Sequence, residues 1–430
     1  MKTKFTSEQR DQPMIQIMED NLRKCVHCGF CLPVCPTYSI LGDERDSPRG
    51  RIYSIKNMLE KGGEPSSQIV KHVDRCLSCL ACMTACPSGV DYQHYIDHAR
   101  SYIDNTHRRP LIDKLFRWLI ATVITNQRIF VVAITASIIF KPILKIFGKK
   151  INNLVNLVPR QLTKKKISDH DASFMAEGKE VIRVALLPGC AQRTLRPSIN
   201  EASIRLLNRM GATIIIPKNI NCCGAINYHL GAESAALTKA RSNIDVLINE
   251  IESDGLNYII SNSAGCGTHL KDYFSLFKND PIYLEKSERI SRITRDITEV
   301  LSTLRAPNSK ISEEPLIVYH DACSLLHGQK IKKAPRALLK KFGFQIIEIP
   351  GNHFCCGSAG TFNLIQIDLA RKLKFERVNK INSLIKNQSI QFLVTGNIGC
   401  ITQMASEISI PTVHTVELLD WATGGPRPIS

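Results

Sequence analysis

Along residues 181–430, apolar positions gather in short β-rich runs at 184–187, 213–216 and 258–261. Longer stretches with helical spacing separate them, such as 198–210 and 233–251. Strands alternating with helices in this way predict βα units around a parallel sheet. Upstream, residues 111–147 read LIDKLFRWLIATVITNQRIFVVAITASIIFKPILKIF and are apolar almost throughout. The longest uncharged stretch at their apolar end, 129–140, is bounded by Arg128 and Lys141. It is short of the roughly 20 residues that cross a bilayer and suits a buried or interfacial helix. Two helices broken near Thr125, Asn126 and Gln127 are predicted.

The β-rich pattern is duplicated. VIRVALLPGC ends in Cys190, NCCGAINYHLG carries Cys222 and Cys223, and YIISNSAGCGTHL carries Cys266. LIVYHDAC, HFCCGSAGTFNL and FLVTGNIGC repeat them with Cys323, Cys355, Cys356 and Cys400, at offsets of 133 (323 − 190, 355 − 222, 356 − 223) and 134 (400 − 266). Two α/β lobes facing each other about a pseudo-twofold axis are expected, with the cysteines just past strand ends, where such folds place their sites. Adjacent cysteines reach different irons of a larger cluster more easily than they share one ion. Cys190, Cys222, Cys223, Cys266, Cys323, Cys355, Cys356 and Cys400 are therefore candidates for additional metal sites; a redox-active thiol site, or a motif with no metal, is the other reading. Neither copy has a G-x-G-x-x-G or P-loop pattern, so no flavin or nicotinamide site is predicted on this chain.

Composition narrows the setting. With 43% hydrophobic and 22% charged residues, the chain is globular in character. Its polar start, MKTKFTSEQRDQPMIQIMED, has no secretory apolar run, so a cytoplasmic location is expected. In a reducing compartment the 16 cysteines are better read as metal ligands or redox groups than as disulfides. The net charge of +17 calls for an anionic partner. Lys141, Lys145, Lys149, Lys150, Lys164, Lys165 and Lys166 follow the apolar segment. Apolar and basic surface side by side suits an anionic membrane face; a helical hairpin packed inward with solvated lysines is the alternative. Residues 164–180 read as a linker.

The most specific chemistry lies near the N-terminus. CVHCGFCLPVCP and CLSCLACMTACP both follow C-x2-C-x2-C-x3-C-P, the spacing of bacterial-type [4Fe-4S] ligation. Three close cysteines wrap one face of a cube, and the fourth, on a following helix turn, points to the other cube. Cys25, Cys28, Cys31 and Cys86 are then expected to hold one [4Fe-4S] cluster, and Cys35, Cys76, Cys79 and Cys82 the second. Zinc would leave cysteines idle in each run. His27 is read as a neighbour tuning the local field. Two such clusters carry single electrons, so the step that takes two electrons from a substrate must lie elsewhere.

Together with CPTYSILGDERDSPRGRIY, DRCLSCLACMTACPSGV, GCAQRTLRPSIN, CCGAINYHL, SAGCGTHLKDY, HFCCGSAGTF and NIGCITQ, these motifs resemble the iron–sulfur subunits of bacterial glycolate oxidase (glycolate dehydrogenase) across nearly the whole chain. The resemblance implies an oxidoreductase complex. On that likeness, FAD-binding partner subunits would oxidise glycolate to glyoxylate, and also D-lactate, and this chain would relay the electrons to a membrane quinone-type acceptor. No catalytic residue is expected on this chain, and a place in the cytoplasm, at the inner face of the cell membrane, is expected. The cluster subunit of an L-lactate or glycerol-3-phosphate respiratory dehydrogenase is the neighbouring reading. One departure stands out: heterodisulfide reductase relatives close each cysteine-rich module with C-x-x-C, whereas this chain has Cys266-Gly-Thr-His269 and Cys400-Ile-Thr-Gln403. His269 is a candidate substitute ligand; Gln403 would be a weak one.

The expected architecture is α+β: a mostly helical 2[4Fe-4S] ferredoxin-like domain (1–108), an apolar and basic helical connector with linker (109–180), and two parallel-sheet CCG lobes (181–310 and 311–430). A nucleic-acid-binding role is not supported, because no helix-turn-helix, zinc-finger or aromatic RNA-binding signature accompanies the charge. A thiol–disulfide reductase using Cys222-Cys223 or Cys355-Cys356 is the remaining alternative.

Overall fold

The computed structural model describes residues 1–141, 155, 157–159, 162, 171–253 and 255–428. The N-terminal region is built of helices punctuated by proline. Pro36 opens Pro36–Leu41 and Pro48 opens Pro48–Lys61, positions where a missing N–H costs nothing. Ser47 caps the second of these, its Oγ accepting from Gly50 N at 3.0 Å. These helices, with Pro13–Lys24, Ser67–Asp74 and Tyr92–Thr106, bury Met18, Leu22, Ile55, Val73, Ile96 and Ile103 in a core of their own.

The second half forms two sheets. The first has strands β1 (Ala172–Phe174), β2 (Ile182–Leu187), β3 (Ala212–Ile216), β4 (Tyr258–Ser261) and β5 (Thr294–Asp296), in spatial order β1-β3-β2-β4-β5. The second has β6 (Leu316–His320), β7 (Gln345–Glu348), β8 (Phe392–Thr395) and β9 (Thr412–His414), in the order β7-β6-β8-β9. Removing β1 leaves the same order in both, all parallel, so the duplication read from cysteine spacing is a duplication of topology. Helices Ser198–Arg209 and Glu233–Ser253 fill the connections where helical spacing predicted them.

One expectation needs correction. Within the presumed linker 164–180, Ala172–Phe174 is an antiparallel edge strand pairing Ala172 with Ile216 and Phe174 with Ile214. Three residues were too few to register as a strand pattern. They are held by the apolar β3 edge, and beyond them Ala176 N donates to Thr213 Oγ1 at 3.2 Å. Residues 164–170 of that stretch, with Lys164, Lys165 and Lys166, and also Lys145, Lys149 and Lys150, lie outside the described residues.

The two sheets share one hydrophobic core, which runs from Val184, Leu186 and Ile260 to Phe392, Val394 and Val413. Charge pairs close the seam: Arg196 meets Glu417 at 3.2 Å and Arg205 meets Asp420 at 2.5 Å.

The connector forms two helices, Leu111–Thr125 and Gln127–Ile139, bent by 106° at Asn126. Asn126 turns the chain and caps the second helix, its Oδ1 accepting from Ile129 N at 3.3 Å. Among the described residues no single helix is long and apolar enough to cross a membrane; the bent pair meets that test only jointly, by length and composition. Ile120, Ala121, Phe130 and Ile134 face inward, while Leu111 (84% exposed), Ile112, Leu115 and Trp118 (60%) face outward. One face of the segment thus packs inward and the other is exposed.

Candidate metal centres

The run Cys25–Cys35 has almost no regular secondary structure, because its backbone reverses repeatedly. His27 and Gly29 adopt φ of 57° and 86°, and Ser78 and Leu80, at the same places in the second run, adopt 48° and 63°. Left-handed backbone at a non-glycine residue costs about 1–2 kcal/mol and persists only where surrounding structure demands it. The same two positions are left-handed in both copies, at a cost for His27, Ser78 and Leu80 and freely for Gly29, so the loops share one wrapping geometry.

Two small hollows result. One is lined by Cys25, Cys28, Cys31 and Cys86, the other by Cys35, Cys76 and Cys79, and Cys82 lines both. Each thus collects three cysteines of one run and the fourth of the other. Cys35 sits at the start of helix Pro36–Leu41, as expected for a fourth cysteine. Cys86 does not: it ends the short helix Ala81–Ala85 and is followed by a turn, because Gly89 (φ 64°) diverts the chain before Tyr92–Thr106 begins.

The chemistry of the donors fits iron–sulfur clusters. All eight thiols are free, and most are buried. Burial pushes Cys31 up to about 11 and drives Cys79 and Cys82 well above the ordinary thiol range. Thiols this hard to ionise alone are deprotonated by a bound metal, whose charge inverts the local electrostatics. Ser78 N donates toward Cys76 Sγ at 3.5 Å and Tyr92 Oη at 3.8 Å.

Beneath the second hollow lies a charged hub that motif reading missed. Asp46 is fully buried and meets Arg75 at 2.9 Å, His72 at 2.9 Å and the buried Arg51 at 3.4 Å. Asp43, Asp46 and His72 cluster closely enough for a metal, but Asp46 already serves two guanidinium groups. Burial opposes the charge on Arg51, yet Cys76, Tyr92, Cys35 and Asp46 hold its pKa above the ordinary value. A fixed cation thus stands beside thiols that turn anionic on metal binding.

In the lobes, every sequence-predicted cysteine lies past a strand end. Cys190 follows β2, Cys222 and Cys223 follow β3, and Cys266 follows β4; Cys323, Cys355 with Cys356, and Cys400 follow β6, β7 and β8 in the same way. Cys190 and Cys222 bring their Sγ atoms to 3.5 Å, Cys323 and Cys355 theirs to 3.8 Å. Cys223 reaches Cys266, and Cys356 reaches Cys400. All eight line one cavity of about 530 Å³, walled on another side by Phe116, Ile120, Val123, Phe130 and Ile134 of the connector helices.

Two further residues distinguish the lobes. His320, at the end of β6, lies with Cys356 and Cys400 so that their ligand atoms fall within 4.8 Å of one another. Arg377 is buried beside Cys356, Cys355 and Cys400; burial lowers its pKa while those thiols oppose the shift. His269, the proposed substitute ligand, packs instead against Tyr228 and Tyr273 with ring centroids at 5.5 and 5.6 Å. Among the described residues it joins no three-residue ligand group. Gln403 hydrogen-bonds with Asn363 at 3.0 Å. The signal for His320 was legible in HDAC against LPGC, where His320 replaces Leu187 at the repeat offset of 133 (320 − 187).

The N-terminal region docks on both lobes. Leu77, Cys79 and Ala81 share an apolar cluster with Cys355, Phe362, Leu369 and Leu373, and Cys323 packs against it. Thr84 hydrogen-bonds with His327 at 2.9 Å. The second hollow therefore abuts the cysteines of the second lobe.

Comparison with known proteins agrees with this geometry. Residues 21–90 match the 4Fe-4S dicluster domain, and residues 184–271 and 317–405 each match the cysteine-rich domain. The chain is 36% identical to the glycolate oxidase iron–sulfur subunit of Escherichia coli K12 over 98% of its own length and 99% of that protein. It is 29% identical to the probable glycolate oxidase iron–sulfur subunit of Bacillus subtilis, covering 94% of this chain and 95% of the relative. Lactate utilization protein A of Bacillus licheniformis is 24% identical over 56% of this chain. By full-length similarity, and by a dicluster motif joined to two cysteine-rich repeats, the chain belongs to the glycolate oxidase iron–sulfur subunit family.

Proposed function

We propose that this chain is the electron-transfer subunit of a glycolate dehydrogenase complex. FAD-binding partner subunits oxidise glycolate to glyoxylate, and D-lactate in the same manner, and this chain passes the electrons to a membrane quinone-type acceptor. Iron–sulfur clusters, when bound, supply one-electron carriers of tunable potential. Cys25, Cys28, Cys31 and Cys86 would hold one [4Fe-4S] cluster and Cys35, Cys76, Cys79 and Cys82 the other; the lobe cysteines would hold further metal.

The observation that carries this reading is the exchange of the fourth cysteine between the two hollows, which sets the sites side by side. The packing of Cys79 against Cys355 and Phe362 supports onward transfer to the second lobe. The outward apolar face of Leu111, Ile112, Leu115 and Trp118 supports contact with a lipid surface from the cytoplasmic side. The functional parts are taken as 1–108, 109–180, 181–310 and 311–430.

The second reading is the cluster subunit of an L-lactate or glycerol-3-phosphate respiratory dehydrogenase, and the partial likeness to lactate utilization protein A favours its lactate form. The test is anaerobic reduction of the co-purified complex. Glycolate and D-lactate should bleach the cluster absorbance, whereas L-lactate and glycerol 3-phosphate should not. Bleaching by L-lactate alone would transfer the chain to the second reading.

A further inference from the structure

We propose that His320 is a metal ligand of the second lobe, binding through a ring nitrogen the same ion or iron atom as Cys356 and Cys400. This rests on the reading of the lobes as metal sites and assigns to one of them a ligand type that the other lacks.

The three side chains are 1%, 1% and 2% exposed, and their ligand atoms fall within 4.8 Å of one another. Among the described residues, neither ring nitrogen of His320 has a hydrogen-bond partner. A buried polar group without a partner is destabilising, and most such groups in folded proteins find one. A metal ion supplies the missing partner. Imidazole beside thiolates is a donor set used by zinc and by iron–sulfur centres alike.

Internal duplication provides the control. His320 ends β6 opposite Thr395, and Leu187 ends β2 opposite Ser261, so the two residues occupy the same place in their sheets. Leucine offers no ligand. The charge nearby also differs. Arg377 and Asn243 correspond at 134, the offset of their helices (367 − 233). Asn243 donates to Cys222 O at 3.0 Å, whereas Arg377 donates to Gly351 O at 3.0 Å and to Phe354 O. Both hold the loop of a vicinal cysteine pair, but only Arg377 brings a buried positive charge to it. That charge suits a second-lobe site whose thiols are ionised by metal. The lobes are therefore chemically unequal, and the one carrying His320 is the one that packs against Cys79.

The test uses the full chain, purified anaerobically as wild type, His320→Leu and His320→Gln. Iron, sulfide and zinc are counted. Pulsed EPR reads nitrogen coupling to iron, and zinc-edge X-ray absorption reads imidazole scattering, so the two metals are told apart. Wild type should hold metal beyond eight irons and show an imidazole signature in one arm. Both variants should lose that signature and release the extra metal to a chelator about tenfold faster, with the N-terminal cluster signals unchanged as a check on folding. Extra metal without an imidazole signature in wild type, or a signature that survives both substitutions, overturns the role of His320 while leaving a thiolate site. No metal beyond eight irons overturns the reading of the lobes, and this inference with it.

Discussion

His94 bridges two carboxylates from different parts of the chain: Nδ1 donates to Asp91, the cap of its own helix, and Nε2 donates to Asp272 of the first lobe at 2.8 Å. Gln93 adds a bond to the same carboxylate at 3.0 Å. The N-terminal region is thereby fastened to the lobes by an ion pair as well as by the apolar contact around Cys79.

This pairing predicts a pH dependence. Burial disfavours the imidazolium, but the hydrogen bonds to Asp272 and Asp91 outweigh it and raise the pKa from 6.5 to about 11. The folded value lies above the unfolded one, so the stabilisation is complete below 6.5, declines as pH rises and is gone above about 11. His94→Gln should cost about 2 kcal/mol near neutrality. The gap between its unfolding midpoint and that of wild type should close steadily from pH 7 to pH 10. A gap that widens with pH would show that the charged imidazole is not what holds the joint.

Asp46→Asn should be among the most damaging single changes outside the cysteines. It leaves Arg51, 1% exposed, without its carboxylate, and removing one partner of a buried pair costs about 3–5 kcal/mol. Chemical denaturation should show a loss of that size, with earlier bleaching of the second cluster than of the first. A loss below 1 kcal/mol would mean that Arg51 is neutralised by the neighbouring thiols alone.

The glycine of each CCG triplet is required by geometry. Gly357 has φ of 86°, and a Cβ there would sit 2.7 Å from Ala370 O; Gly224 has φ of 94°, with Ala236 O at 3.0 Å. Gly357→Ala should cost about 2 kcal/mol from backbone conformation alone, and Gly224→Ala somewhat less in total because its contact is looser. Metal retained by the matching lobe should fall in parallel. Equal stability of both variants and wild type would remove close packing as the reason for the motif.

Cys79→Ser should abolish dye or quinone reduction by the complex while leaving flavin reduction by glycolate intact. Stopped-flow absorbance separates the two steps. Normal quinone reduction in this variant would remove the second cluster from the path.

Much of this organisation is written locally in the sequence. The βα alternation, the repeat offset and the helix break at Asn126 all follow from spacing, because each depends on residues close in the chain or on a pattern that repeats along it. What escaped depends on tertiary neighbours. The strand Ala172–Phe174 exists because the edge of β3 receives it. Asp46, Arg51 and His72 look like surface charges until folding buries them together. His269 was drawn toward ligation by its place three residues after Cys266, but the aromatic faces of Tyr228 and Tyr273 claim it. His320 was visible as a mismatch between repeats, and only the placement of Cys356 and Cys400 gave that mismatch a meaning.

The most direct test of the account is elemental and spectroscopic analysis of the full chain purified without oxygen. It should be brown, contain at least eight irons with matching sulfide, and on reduction give the EPR spectrum of two interacting [4Fe-4S] centres. Colourless protein whose N-terminal thiols carry zinc in place of iron would contradict it.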